Sequence, residues 1–262
     1  MAIIKGLRNI KARDEEMEAA KARRENKVEW LSSIWSKNAD PEVKIKKNTK
    51  VEVIFLQELD ESSDRYSEKN GLGFLVQEHN NPSRTEFFKR VMCTYDDEHD
   101  FLCWGCEKNS AEWAKSTDEN KYNGAWKAKT NFYINVLGRY TNEAGDKVEK
   151  VFVLQRARTA NSYVDEIIDF AAEDGFISNR LFQLSRKGEG FDTKYSLVLR
   201  NDDAGIDVES FELFDLEALV REVDYEEQAA ALGMASAPVT ISESSDGDSD
   251  ESDPEDEDDQ WL

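Results

Sequence analysis

The sequence predicts an α+β protein that is mostly β with a few helices. Several short runs alternate apolar and polar residues and are rich in β-branched residues, which is typical of strands. One run with helical periodicity lies between them and has clear start and stop signals. The 262 residues, 39% of them hydrophobic and 10% aromatic, are enough to build a substantial core.

The N-terminal part is predicted to be helical. Almost every residue of 11–24 favours a helix and few are apolar, which indicates a charged and largely exposed helix. A short amphipathic segment follows, with Leu31, Ile34 and Trp35 on one face. We therefore expect an N-terminal helical segment over residues 1–42.

The first strand is predicted at 49–56, where β-branched and aromatic residues alternate in part with polar ones. Residues 72–76 follow a glycine and are predicted to be its hairpin partner. Residues 87–124 have no regular pattern and predict a loop region. Further strands are predicted at 131–139, 150–156, 181–185 and 195–199.

Two later helices are predicted. Residues 162–174 have Ser162 as a candidate N-cap, an apolar stripe and Gly175 just past the end. Residues 211–223 have the pattern of an acidic amphipathic helix. Five or six strands with one inserted helix suit a small, partly open barrel of the oligonucleotide-binding type. The core is expected over residues 43–224, followed by a linker and a disordered acidic tail over 225–262.

Every cysteine of the chain lies in one short stretch with a histidine: His79, Cys93, Cys103 and Cys106. The last two have the Cys-x-x-Cys spacing of zinc sites, and thiolate and imidazole suit zinc better than calcium or magnesium. Four protein ligands leave no open position for water, so the set predicts one structural zinc. The zinc-binding subdomain is expected over residues 77–110.

Other interpretations of these cysteines stay open. They could be small buried hydrophobic residues without a metal. His99 is a rival fourth ligand, since it precedes Cys103 by four positions, but the acidic run around it is typical of a solvated turn. A disulfide is less favoured because the cysteine count is odd and no secretory signal is seen. A reducing, cytoplasmic setting is therefore expected.

The net charge of −22 is distributed unevenly along the chain. Residues 243–262 contain eleven acidic residues and no basic one, so half of the net charge lies in this tail. Such a segment cannot bury enough apolar surface to order itself. It ends in Trp261 and Leu262, an apolar tip that a partner protein could bind in a pocket with a basic rim.

Aromatic and basic residues alternate between Arg84 and Arg158. Single-stranded nucleic acid is bound by this chemistry, because flat rings stack on bases while cations contact phosphates. More than half of these aromatic residues are expected to belong to the core. The residues that packing explains least are Trp104, Tyr122, Trp126, Lys127 and Lys129.

Three motifs together resemble a known family. They are the spacing of the cysteines, the segment from Trp113 to Lys129, and the segment from Val151 to Tyr195, which contains "DGFIS" and "RKGEGFDTKY". With the acidic tail, they make the chain similar to the single-stranded DNA-binding, or helix-destabilising, proteins of T4-like and related tailed bacteriophages. The similarity covers roughly residues 45–200 and the tail.

The resemblance implies one oligonucleotide-binding fold with an embedded zinc subdomain whose ligands are one histidine and three cysteines. It also implies a DNA cleft formed by Arg84, Lys89, Arg90, Tyr122, Trp126, Lys127, Lys129, Arg156 and Arg158. Residues 1–30 depart from the family, because they carry mixed charges instead of a compact basic arm. Cooperative self-association on DNA is therefore left open.

The predicted function is that of a non-enzymatic protein that coats single-stranded DNA during replication, recombination and repair. It would act in the cytoplasm, that of the host cell if the protein is viral, and its tail would recruit replication and recombination proteins. No apolar run is long enough for a membrane span. The alternative is an acidic zinc-containing adaptor or chaperone-like protein that binds basic partners through its tail.

Overall fold

The structure is a computed structural model that describes residues 28–47, 49–80, 90–95, 102–118, 120–160, 162–188 and 193–232. Several predicted features lie outside these residues. They are the charged helix over 11–24, the acidic tail over 243–262, and the individual residues Arg84, Lys89, His99, Trp261 and Leu262.

The described residues form an α+β fold around a seven-stranded antiparallel sheet. The strands are β1 Val51–Phe55, β2 Phe74–His79, β3 Val91–Met92, β4 Lys129–Thr141, β5 Lys147–Ala157, β6 Leu181–Lys187 and β7 Lys194–Asn201. The α-helices are α1 Trp104–Ala114, α2 Val164–Asp174 and α3 Tyr225–Ala231. Short 3-10 helices occur at Leu31–Trp35, Val208–Ser210 and Glu217–Leu219.

Strand β4 is the centre of the sheet. It pairs with β5 along one edge, while its other edge pairs first with β2 and then with β1. The strand order is β3-β2-β4-β1-β6-β7, with β5 beside β4. Among the described strands, β3 and β7 do not pair with each other, so the sheet does not close into a barrel. The predicted strands at 131–139, 150–156, 181–185 and 195–199 are confirmed with slightly longer bounds.

The main core lies on one face of this sheet. Its fully buried side chains include Phe55, Phe152 and Phe182, and the Phe55 and Phe182 rings pack edge-on with their centroids 5.1 Å apart. Leu31 and Ile34 belong to the same cluster. These two residues belong to the predicted N-terminal segment 1–42, so part of that segment packs into the core that the strands form.

Helix α2, Val164–Asp174, confirms the predicted helix, but its N-cap is Tyr163 and not the candidate Ser162. The Val164 N–H donates to Ser162 Oγ at 3.0 Å, and Gly175 ends the helix with a left-handed φ of 78°. A Cβ-free residue suits this position because other residues adopt such a φ at a cost. The helix buries Val164 and Ile167 against the sheet.

Several predictions about secondary structure are wrong. β2 is not the hairpin partner of β1, because both edges of β1 are occupied by β4 and β6. Residues 211–223 are not an α-helix, and only Glu217–Leu219 forms a 3-10 turn. The Asn135 side chain exchanges hydrogen bonds with the backbone of Phe214, at 3.1 and 3.0 Å. These bonds hold the segment extended while its apolar residues cover the second face of the sheet.

The region from 225 was predicted to be a linker, whereas the structure has helix α3 there. Asp224 caps it, since its Oδ1 accepts from the Glu227 N–H at 2.8 Å. The side chains of Gln228 and Leu232 are fully buried. This part of the chain therefore belongs to the folded protein.

Candidate metal centre

Three elements position the histidine and the three cysteines. His79 is the last residue of β2, and its register opposite Val91 places it beside β3. Cys93 follows β3 directly, and its N–H donates to the Gln77 carbonyl at 2.8 Å. Cys103 and Cys106 lie at the start of α1, a helix in the stretch that the sequence predicted to be irregular.

The ligand atoms of these residues converge. His79 Nε2 lies 3.3 Å from Cys103 Sγ and 3.5 Å from Cys106 Sγ. Cys93 Sγ lies 3.8 Å from Cys103 Sγ and 3.6 Å from Cys106 Sγ. All four ligand atoms lie within 4.8 Å of one another, so the four residues can hold one metal ion. The predicted preference for His79 agrees with this set.

The imidazole of His79 is oriented by the backbone. Its ring is fully buried, and Nδ1 lies 2.8 Å from the carbonyl oxygen of Trp126. Because a carbonyl only accepts, Nδ1 carries the proton and Nε2 presents its lone pair to the sulfurs. Metal-binding histidines usually have such a partner on the other ring nitrogen.

The thiols differ in their environments. The pKa of Cys103 is lowered, chiefly by its hydrogen bond from Cys93. Burial raises the pKa of Cys106 to about 11. The pKa of Cys93 is raised, first by its hydrogen bond to Cys103. Cys103 is also the buried member of the three.

Gly105 is a residue of the site that sequence reasoning missed. A Cβ added here would lie 2.4 Å from His79 Cγ and 2.6 Å from its Cδ2. Real Cβ atoms essentially never approach so closely. A glycine is therefore required between the second and third cysteine, because the imidazole ring lies directly against its backbone. Its position between two ligands was the only signal in the sequence.

Gln228 is a second missed residue, and it comes from α3, far along the chain. Its Oε1 accepts from the Gly105 N–H at 3.4 Å and lies 3.5 Å from Cys103 Sγ. Its Nε2 donates to Thr94 Oγ1 at 2.9 Å. A glutamine in a short helix carries no sequence signal for such a role.

The aromatic residues near the site pack among themselves. Trp104 and Trp126 meet edge-on with ring centroids 5.7 Å apart, and Trp126 is only 7% exposed. Tyr122 OH accepts from the Trp126 N–H at 2.6 Å, and its ring packs edge-on against Trp113. Trp126 was expected to be poorly explained by packing, but it belongs to a small core with Val91.

The basic residues of the predicted cleft do not form one group. Lys127 and Lys129 are exposed, whereas Arg90 is partly buried with its NH1 3.9 Å from Glu78. The registers place Arg156 opposite Phe132 and Asn131 opposite Ala157. Directly opposite residues share a face, so Arg156 lies on the opposite face of the ribbon from Lys129.

Arg156 instead joins an aromatic cluster that the sequence did not reveal. Its guanidinium carbon lies 4.3 Å from the ring centroid of Tyr195. The Tyr195 ring lies 5.9 Å from that of Trp35 and 5.8 Å from that of Tyr163. Three segments of the chain contribute these rings, so only the tertiary structure brings them together.

The face of β2, β4 and β5 beside this cluster is partly open. Leu75 and Gln77 on β2 share it with Arg156, and Leu75 is 41% exposed. Arg158 continues the face, since its N–H donates to the Thr130 carbonyl at 2.8 Å. Its Nε lies 2.7 Å from Asp165 Oδ1 in an exposed ion pair.

No helix of the described residues has the length and apolar character that a membrane span requires. Comparison with protein-family models, with curated proteins and with solved structures finds no match to the chain. The functional assignment therefore depends on the chemistry of the two sites described above. One is the cluster of one histidine and three cysteines that is able to hold a metal ion. The other, named here the arginine–aromatic face, consists of Arg156 with the rings of Trp35, Tyr163 and Tyr195 and of the adjoining residues Leu75, Gln77 and Arg158.

Proposed function

We propose that His79, Cys93, Cys103 and Cys106 hold one structural zinc ion. Zinc–sulfur bonds of about 2.3 Å and zinc–nitrogen bonds of about 2.0–2.1 Å in a tetrahedron imply S···S distances of about 3.8 Å and N···S distances of about 3.6 Å. In the structure two S···S distances are 3.6 and 3.8 Å, and two N···S distances are 3.3 and 3.5 Å. These four distances are close to those of a tetrahedral zinc site, and all four donor atoms lie within 4.8 Å of one another.

We infer further that the protein binds single-stranded DNA and is not an enzyme. The arginine–aromatic face carries this proposal: the Arg156 guanidinium lies over Tyr195, with Trp35 beside it. Rings offer a stacking surface to any base, and arginines contact phosphates and stack as well. Each stacked base contributes about 1–3 kcal/mol, and Trp35 and Tyr195 are both partly exposed. The resemblance to bacteriophage helix-destabilising proteins supports the same conclusion.

This proposal assigns the sheet to the oligonucleotide-binding class, as a partly open barrel of which β1, β2, β4, β5 and β6 are the principal strands. The zinc would keep the region beside β2 and β3 in shape, while the strand would bind at the open end of this face, along Leu75, Gln77, Arg156 and Arg158. By coating single strands, the protein would melt duplexes through mass action. The acidic tail would recruit replication and recombination proteins in the cytoplasm of the cell.

Binding to a fluorescently labelled oligothymidine across a salt series tests the DNA proposal. The variant Arg158→Ala is matched by Arg139→Ala, because both arginines lie on the β4–β5 ribbon with an ion pair of 2.7 Å. Each phosphate contact contributes about −0.7 to the slope of log affinity against log salt for single strands. We expect Arg158→Ala to reduce this slope by about 0.7, and Arg139→Ala to leave it unchanged.

The result that would overturn the DNA proposal is the absence of salt-dependent binding in the wild-type protein. Equal effects of the two arginine variants would overturn the choice of face. Tryptophan fluorescence in the same titration adds a second readout, because a base stacking on Trp35 would quench its emission.

The acidic adaptor is the second candidate, favoured by the eleven acidic residues in 243–262. Deletion of these residues separates the two functions. Binding to single strands should survive or strengthen if the protein binds DNA, because an acidic segment competes with the strand. Binding to basic protein partners should disappear if the protein is an adaptor.

A further inference from the structure

We propose that Gln228 is a positioning residue for the metal centre, so that zinc binding and docking of α3 stabilise each other. The inference rests on the zinc site proposed above and extends it to a residue outside the ligand set. It assigns α3, the last described helix before the acidic tail, to the metal-binding region.

The contacts of Gln228 connect the two segments that carry the cysteines. Its Nε2 donates to the hydroxyl of Thr94, the residue after Cys93, at 2.9 Å. Its Oε1 accepts from the N–H of Gly105, between Cys103 and Cys106, at 3.4 Å. One fully buried side chain therefore fixes the distance between the Cys93 segment and the start of α1.

A second contact path leads from α3 to the histidine. Leu232, directly after α3, is fully buried and packs in the same small cluster as Val91 and Trp126. The Trp126 carbonyl accepts from His79 Nδ1 at 2.8 Å. On the outer side, Tyr225 OH donates to Glu107 Oε2 at 2.6 Å. The helix thus contacts both cysteine segments directly, and it reaches the histidine through the cluster that contains Trp126.

The physical consequence is reciprocal coupling. If docked α3 holds the ligands in the geometry that zinc needs, zinc must in turn favour docked α3 by the same factor. Residues that orient metal ligands from outside typically change metal affinity by about 10- to 100-fold when they are substituted. We expect a change in this range for Gln228.

The first experiment measures zinc affinity of the full chain by competition with a chromogenic chelator. Gln228→Ala removes the side chain, and Gln228→Met keeps its volume while it removes the amide. Both should bind zinc about 10- to 100-fold more weakly than the wild type. The control is Gln57→Ala, because Gln57 is also buried and hydrogen-bonded but lies in the sheet core, against Asn70 and Asn135. This control should retain wild-type affinity.

The second experiment follows docking of α3 by trypsin cleavage after Arg221. The Arg221 carbonyl accepts from the Met92 N–H at 2.9 Å, which ties this bond to β3. Residues 222–262 contain no lysine or arginine, so cleavage releases them as one peptide that mass spectrometry identifies. At saturating zinc, the Gln228 variants should release it faster than the wild type and Gln57→Ala.

The outcomes separate the inference from the proposal beneath it. A wild-type chain that takes up no zinc overturns both the zinc site and the coupling. Zinc uptake with unchanged affinity and unchanged release of residues 222–262 in Gln228→Met overturns the coupling alone. Weaker zinc binding and faster release in both Gln228 variants, with Gln57→Ala unaffected, supports it.

Discussion

The sheet and the metal-binding region are stabilised in different ways. The sheet has long paired strands and a large apolar cluster with Phe152 and Phe182 fully buried. The metal-binding region has a two-residue strand, helix α1, helix α3 and a small cluster around Val91 and Trp126. Beyond that cluster, the region is held by hydrogen bonds between single side chains and the backbone, above all those of His79 and Gln228.

The difference explains why a metal ion would stabilise the second region. Small apolar clusters bury too little surface to offset the entropy of ordering their chain, and small units therefore need a metal or a disulfide. The sheet meets this cost through hydrophobic burial. The region beside it instead brings together four side chains from three chain segments that can hold a metal ion. Substitutions in the two regions should therefore have different consequences.

The largest expected effect is loss of a ligand. Cys106→Ser should abolish zinc binding and unfold the metal-binding region, because a structural zinc supplies on the order of 10 kcal/mol toward folding its site. Near-UV circular dichroism should lose the signal of Trp104 and Trp126, while the far-UV signal of the strands persists. Unchanged tryptophan signals in a zinc-free variant would show that this region folds without metal.

Removal of an aromatic ring from the core should destabilise the sheet and leave zinc binding intact. Phe182→Ala should lower the free energy of unfolding by about 3–5 kcal/mol, since it leaves a cavity between Phe55 and Phe170. Denaturant unfolding measures the loss, and Val198→Ala is the control because that side chain is 43% exposed on β7. The zinc content should stay at one ion per chain. A loss of zinc in Phe182→Ala would show that the two regions fold as one unit.

Gly105→Ala sharpens the comparison at a single contact. The new Cβ would lie 2.4 Å from His79 Cγ, so the imidazole must move away from the sulfurs. We expect this overpacking to cost about 1–3 kcal/mol, seen as weaker zinc binding in chelator competition. Gly145→Ala is the control for backbone strain without a clash, because Gly145 has a φ of 97° but nothing lies within 4 Å of a Cβ there, and it should keep wild-type zinc affinity. Zinc affinity equal to that of the wild type in Gly105→Ala would contradict the contact.

The smallest expected effect lies at the border of the two regions. Glu78 precedes His79 and accepts from Asn131 Nδ2 and Tyr133 OH, both at 2.8 Å. Burial raises the pKa of Glu78 above its ordinary value of 4.5. The folded state therefore binds this proton more tightly than the unfolded state, and its contribution to stability is lost as the pH rises from 4.5 through the folded pKa.

Glu78→Gln should remove this part of the pH dependence. Unfolding free energies measured at several pH values above 4.5 should fall less steeply in the variant than in the wild type. Glu52→Gln, exposed on β1, serves as the control. A variant with an equal or steeper fall would contradict the assigned effect of burial.

Local sequence patterns predicted most of the sheet and helix α2. Strands β4 and β5 are rich in β-branched and aromatic residues, β6 and β7 alternate in part, and α2 has both an apolar stripe and Gly175 at its end, so neighbouring residues carry the information. The prediction for 211–223 failed because an acidic amphipathic pattern also suits an extended segment. Only the Asn135 side chain, which bonds to the backbone of Phe214, decides between the two.

The sequence by itself identified the three cysteines as candidate ligands and left the histidine to be chosen between His79 and His99, because thiols and an imidazole at these spacings suit a borderline-soft metal. The tertiary structure alone decided which strands pair, that Trp126 is buried, that Gly105 lies against His79, and that Gln228 joins the cysteine segments. It also placed Arg156 over Tyr195. The physical reason is that these features depend on contacts between residues distant in the chain, whereas sequence periodicity reports only on near neighbours.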